Sequence, residues 1–162
     1  MSTLRLALYQ PDIPQNAGTL LRLSACLDLA VDIIEPCGFV FDDRKLRRAG
    51  MDYLDQARFE RHSSWQTFHQ RLLADGRRLI LLTTSGETRH DHFSFAPGDT
   101  IMVGRESAGV PPEVAQVAQA RIRIPMKAGA RSLNVALAAA LVTGEALRQL
   151  GGFAHDGERT AE

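Results

Sequence analysis

Five short apolar runs separated by helix-patterned segments constrain this chain more than any other feature. They are "LRLALYQ" (4–10), "VDII" (31–34), "RLILLTTSG" (78–86), the head of "TIMVGRESAG" (100–109) and "RIRIPM" (121–126). Apolar residues at consecutive positions mark strands covered on both faces, and strands that alternate with helices pair in parallel through crossovers. The expected fold class is therefore α/β, an open parallel sheet with helices on both faces.

The intervening segments support this. "NAGTLLRLSACLDL" (16–29) predicts a helix with Asn16 as N-cap, apolar on more faces than one core stripe requires, so that Cys26 reads as a small core residue. "SSWQTFHQRLLADG" (63–76) has a capping box from Ser63 to Gln66 and a stop at Gly76. "PPEVAQVA" (111–118) predicts a short helix, and a last helix is expected from Ser132 to Leu150, stopped by Gly151 and Gly152. Residues 35–54 read as a loop with one short charged helical turn. A length of 162 residues suits one domain, taken as 1–153, with 154–162 as a polar tail.

Nineteen basic residues balance nineteen acidic ones, which argues against coating nucleic acid by bulk charge. Any such contact must be local. The densest basic cluster is "DDRKLRR" (42–48), whose Arg44, Lys45, Arg47 and Arg48 read either as a solvated face or as a contact for a phosphate backbone. Two isolated cysteines, no charged-then-apolar leader and no apolar run of spanning length give the expectation of a reduced, cytoplasmic, membrane-free protein.

In open parallel sheets, ligands bind at the carboxyl ends of the strands. Three strands here end in small-residue loops: "LLTTSG" (81–86), "VGRESAG" (103–109) and "IPMKAGARS" (124–132). The third runs into a helix start at Ser132, Leu133 and Asn134, so the polar side chains of Ser132 and Asn134 either cap the helix or hold a ligand. In "NAGTLLR" (16–22), Arg22 sits on an otherwise apolar helix, where it must reach solvent, pair with Asp28 or Glu35, or serve a ligand. The first strand is followed by "YQPDIPQNAG" and not by GxGxxG, and no phosphate loop or nucleophile elbow occurs. "RHDH" (89–92) lacks the spacing of a zinc site and reads as a surface loop.

Together, "NAGTLLR" (16–22), "VGRESAGVP" (103–111) and "IPMKAGARSLNVALAAA" (124–140) resemble the three ordered motifs of the SpoU-type ribose methyltransferases of the SPOUT superfamily. "IPQNAG", "IIEPCGF", "DDRKLRRAGMDY" and "LLTTSG" extend the resemblance to its small, single-domain branch acting on the wobble cytidine or uridine of tRNA. The resemblance covers Leu4 to about Gly152. It implies a C-terminal deep trefoil knot, S-adenosylmethionine as methyl donor, no metal, a tRNA partner, and a homodimer through the first and last helices. It places donor contacts at Leu82, Gly104, Ile124 and Ser132, polar groups near the reaction at Glu106 and Asn134, and acceptor-ribose positions at Asn16 and Arg22.

The resemblance gives Arg22 the activation of the ribose 2'-hydroxyl. Because arginine stays protonated in proteins, its expected part is to align the ribose and stabilise the developing alkoxide, with a phosphate or solvent taking the proton. Gly144 stands where relatives commonly place a tyrosine, which removes any contact that tyrosine would make. The alternatives are 2'-O-methylation of another tRNA or rRNA site, or a non-catalytic RNA-binding protein that keeps the fold. Retention of Asn16, Arg22, Glu106, Ser132 and Asn134 favours the enzyme.

Overall fold

The computed structural model describes residues 4–40, 44 and 56–153. Within them, β1 (Arg5–Tyr9), β2 (Ala30–Ile34), β3 (Arg58–His62), β4 (Leu79–Leu82), β5 (Thr88–Arg89), β6 (Thr100–Val103) and β7 (Ala120–Arg123) form one sheet. Its order is β3-β2-β1-β6-β4-β7-β5, and every pairing is parallel. The helices are α1 (Pro14–Cys26), α2 (Trp65–Ala74), α3 (Pro112–Val117) and α4 (Val135–Leu150). The expected two-sided sheet is present. One core cluster joins β1, β2 and β6 residues to α1 and α4, and a second joins Ala7, Tyr9, Leu81 and Met102 to Phe68, Leu72 and Val114 of α2 and α3.

Several local expectations are corrected. The first helix begins at Pro14 and ends at Cys26, so Asn16 is its third residue and not its N-cap. Pro14 supplies the start because its fixed φ suits the first helical turn, and its missing N–H loses nothing there. Cys26 is exposed at the far end and not a core residue. In α2 the cap is Ser64, not Ser63: its hydroxyl accepts from Thr67 N at 3.1 Å. The last helix begins three residues later than expected, and Asn134, not Ser132, caps it by accepting from Ala136 N at 2.9 Å and Leu137 N at 3.2 Å. It ends as expected, with Gly151 at φ 62°.

The strand β3, "RFERH", was not legible. It is a charged edge strand whose pairing with β2 is fixed at the inner end by buried Asp32, which takes Arg5 through two bonds of 2.8 Å and His62 Nε2 at 2.8 Å. Lys45, Arg47 and Arg48 lie outside the described residues. Arg44 is exposed.

Candidate functional site

The carboxyl ends of β4, β6 and β7 converge on a cleft of about 530 Å³, within the range of small-molecule sites. Its floor and walls include Leu81, Leu82, Val103, Ile124 and Val135, and its polar side carries Asn16, Thr83, Glu106, Ser132 and Asn134. All four expected donor contacts, Leu82, Gly104, Ile124 and Ser132, line it. So do Asn16, Glu106 and Asn134. Arg22 does not: it is exposed on α1, six residues or about 9 Å of helix rise beyond Asn16.

Local backbone chemistry explains the cleft. The loop after β6 folds back on itself through Arg105 N to Gly109 O at 3.1 Å and Gly109 N to Arg105 O at 2.8 Å. This hairpin requires Gly109 at φ 60° and brings Gly104 against Gly109 so closely that a Cβ on Gly104 would stand 2.7 Å from the carbonyl carbon. On the neighbouring wall, Gly86 presses on β7, where an added Cβ would meet the Ile122 carbonyl carbon at 2.4 Å. Thr83 N donates to Ile122 O at 2.9 Å and holds that loop down. The glycines are thus close-approach positions and not only turns.

A side-chain chain links the 124–134 crossover, the first turn of α1 and the loop after β6. Asn134 Nδ2 donates to Asn16 Oδ1 at 3.0 Å, and Asn16 Nδ2 donates to Glu106 Oε1 at 3.1 Å. Because Asn134 Oδ1 already caps α4, its amide is oriented by the helix it starts. Asn134 thus caps the helix and also lines the polar side of the cleft. Ser132 lines the cleft without capping.

Sequence reasoning missed Asp12. Glu106 N donates to Asp12 Oδ1 at 3.1 Å, and Ser107 Oγ donates to Asp12 Oδ2. The residue stands in the proline-flanked "PDIP" after β1, and an acid in a stiffened loop at the carboxyl edge of the sheet was the available signal. Burial raises the Glu106 carboxyl above its ordinary range, with hydrogen bonding to Asp12 adding to the rise. Asp12 is held low, at about 2, chiefly by that same hydrogen bond and then by Ser107.

The arrangement suits a ligand that is part apolar, part polar and cationic. Hydrophobic walls can cover an uncharged ring, close-packed backbone leaves room for its edge, and the carboxyl of Glu106 faces the same space with Oε2 buried and reached by no donor. S-adenosylmethionine has this character, so the residues present fit it.

Comparison with known proteins adds an independent line. The profile of the SpoU rRNA Methylase family matches residues 3–144. The chain is 58% identical over 155 residues to the tRNA (cytidine(34)-2'-O)-methyltransferase of Ancylobacter novellus, covering 96% of this chain and 98% of that one. A solved structure concerned with 2-OH methylation of C/U34 on tRNA superposes with a TM-score of 0.86 at 40% identity, covering 92% of this chain and 97% of the other. An AdoMet-bound rRNA methyltransferase from Sinorhizobium meliloti matches at a TM-score of 0.82 and 26% identity, covering 91% of this chain and 56% of its own.

Proposed function

The chain belongs to the SpoU rRNA Methylase family, and from that premise we propose that it transfers a methyl group from S-adenosylmethionine to the ribose 2'-hydroxyl of the wobble cytidine or uridine of tRNA. The observation that carries this is the Asn134–Asn16–Glu106 chain set against the apolar cleft of Leu82, Gly104 and Ile124. One side of the cleft can hold the donor, and the polar side can orient a hydroxyl.

The donor supplies a sulfonium methyl group already primed for displacement, so the reaction needs no metal. This chain supplies position. Backbone at Leu82, Gly104 and Ile124, with Ser132, lies where it can fix the donor, and the Glu106 carboxyl offsets its positive charge. Asn16 and Asn134 fix Glu106, and Arg22 on the open face of α1 aligns the incoming ribose and steadies the developing oxygen charge. Arg44, Lys45, Arg47 and Arg48 serve the phosphate backbone of the anticodon arm, in the cytoplasm where tRNA is found.

The working form is a homodimer through α1 and α4. Support comes from α4, whose Leu137 and Leu141 are 60% and 52% exposed on successive turns of one face, an arrangement that a partner helix would cover. Residues 1–153 act as one domain with 154–162 as a tail. The C-terminal part is threaded as a deep trefoil knot. The support is topological: the chain passes from β6 across β4 to β7 and returns through 124–134 so that α4 packs on α1 and β6.

Mass mapping of ribose methylation in tRNA from cells with and without this protein tests the reading. A 2'-O-methyl group at position 34 that vanishes with the protein is the expected result. Loss at another ribose transfers the activity to another site, and no change leaves an RNA-binding protein.

A further inference from the structure

The segment after β1, from Pro11 to Asn16, meets the loop after β6 at two points. Asp12 takes the tip of that loop with both oxygens: Glu106 N donates to Asp12 Oδ1 at 3.1 Å, and Ser107 Oγ donates to Asp12 Oδ2. Four residues on, Asn16 Nδ2 donates to Glu106 Oε1 at 3.1 Å. Glu106 is therefore held twice by one stretch of chain, once through its backbone and once through its carboxyl. The base of the same loop is closed by Arg105 N to Gly109 O at 3.1 Å and Gly109 N to Arg105 O at 2.8 Å. Those bonds join the two ends of the loop to each other, and Asp12 fixes its tip to a neighbouring segment.

The stretch that holds the loop is itself anchored. Gln10 N donates to Ile34 O of β2 at 2.9 Å, Pro11 O accepts from Gly38 N at 2.9 Å, and Ala17 N donates to Ile13 O at 3.2 Å. Pro11 and Pro14 have fixed φ, which removes freedom from the chain on either side of Asp12. Behind Asp12 stands Gly38, where an added Cβ would come within 2.7 Å of Asp12 Cβ and 2.9 Å of its Cα. Both oxygens of this half-buried side chain are thus aimed at one loop from a braced position. A carboxylate that served only to solvate the surface would turn its oxygens to water.

The loop so held is a wall of the cleft, which Gly104, Glu106 and Gly109 line. Resting on the methyl-transfer reading, we propose that Asp12 is a positioning residue for methyl transfer, a strap that sets the tip of the 104–109 loop, and with it Glu106, where the bound methyl donor requires it. Asp12 itself stands outside the cleft lining, so it acts through the loop. The strap needs an acceptor for Glu106 N and a partner for Ser107 Oγ, and it does not need a negative charge. Asparagine supplies both, its Oδ1 accepting from Glu106 N and its Nδ2 donating to Ser107 Oγ, whereas alanine supplies neither. Without the strap Glu106 N loses this acceptor and the tip settles elsewhere. Misplacement of a positioning group by about 1 Å can cost about a hundredfold in rate.

The test is single-turnover methylation of tRNA with methyl donor and tRNA both saturating, because its rate constant and its amplitude separate two roles. A residue that only stabilises the fold lowers Tm and the amplitude, which counts competent molecules, and leaves the rate constant of those molecules unchanged. A positioning residue lowers the rate constant. Asp12→Ala is expected to lower it at least about tenfold, a part of what a full misplacement costs. Asp12→Asn restores it to within about threefold of wild type, because both contacts survive with neutral partners. A rate constant for folded Asp12→Ala within about twofold of wild type overturns the proposal, whatever its Tm. So does an Asp12→Asn variant as slow as Asp12→Ala, which assigns the effect to charge and not to the strap. If Asp12→Ala does not fold, Ser107→Ala decides. It removes one of the two strap bonds and leaves Asp12 in place, so its rate constant is expected to fall at least about threefold, and a wild-type rate constant overturns the strap. Absence of any 2'-O-methyl product from wild type is a separate failure, that of the functional reading itself.

Discussion

Gly104→Ala converts the close packing of the cleft wall into a measurable quantity. The added Cβ would stand 2.7 Å from the Gly109 carbonyl carbon, 2.8 Å from its Cα and 3.0 Å from its oxygen, all backbone atoms. To relieve this, the nearest atom must retreat from 2.7 Å to the 3.4 Å at which ordinary contact begins, about 0.7 Å. The hairpin cannot do so freely, since bonds of 3.1 and 2.8 Å between Arg105 and Gly109 close it. Overpacking of this kind costs about 1–3 kcal/mol, which at this chain length lowers Tm by roughly 2–12 °C. The movement falls on the loop that carries Glu106. Misplacement approaching 1 Å can cost about a hundredfold in rate, so donor affinity should fall at least about tenfold and methylation by about a hundredfold. Calorimetric titration with S-adenosylmethionine and thermal unfolding, read on the same preparation, check both. A folded variant with wild-type donor affinity would refute the placement of the methyl donor against Gly104.

Asn134→Ala removes the α4 cap and the oriented amide together. It should cost about 0.5–2 kcal/mol of stability, read by thermal unfolding, and lower kcat more than that loss explains. Leu137→Glu with Leu141→Glu places charge on the exposed apolar face of α4, so sedimentation should show a dimer becoming a monomer; a wild type that is already monomeric contradicts the proposed interface. Glu106→Gln should raise Tm while abolishing methylation. A carboxyl whose folded pKa is raised favours the fold fully below its unfolded value and loses that advantage as pH rises through the folded value. The gain of the glutamine variant is therefore largest at neutral to alkaline pH and fades toward pH 4, as Tm series across that range will show.

The architecture was largely written in residue order, because β1, β4 and β6 are apolar at consecutive positions, as strands covered on both faces must be. The strand β3 was hidden for the opposite reason. "RFERH" lies at an edge, so its charged side chains face water and only His62 is buried. Asn16 and Asn134 show how one residue type misleads at short range. Asparagine ahead of a helical pattern predicts an N-cap, which Asn134 is; Asn16 was displaced from that role by Pro14 and uses its amide across the fold instead. That Leu82, Gly104, Ile124 and Ser132 share one cleft followed from the resemblance carried by the ordered motifs. Asp12 did not, because its value comes from contacts with Glu106 and Ser107, more than ninety positions away, and with Gly38. No local pattern encodes partners at that separation.

The most direct test of the central claim is methylation by the purified protein of two tRNAs that differ in one oxygen, with cytidine or 2'-deoxycytidine at position 34. Nuclease digestion and mass analysis should find one added methyl group on the ribose of nucleotide 34 in the first, and none in the second. Methyl transfer that persists on the 2'-deoxy tRNA, or that maps to a base or to another ribose, contradicts the assignment of the wobble 2'-hydroxyl as acceptor.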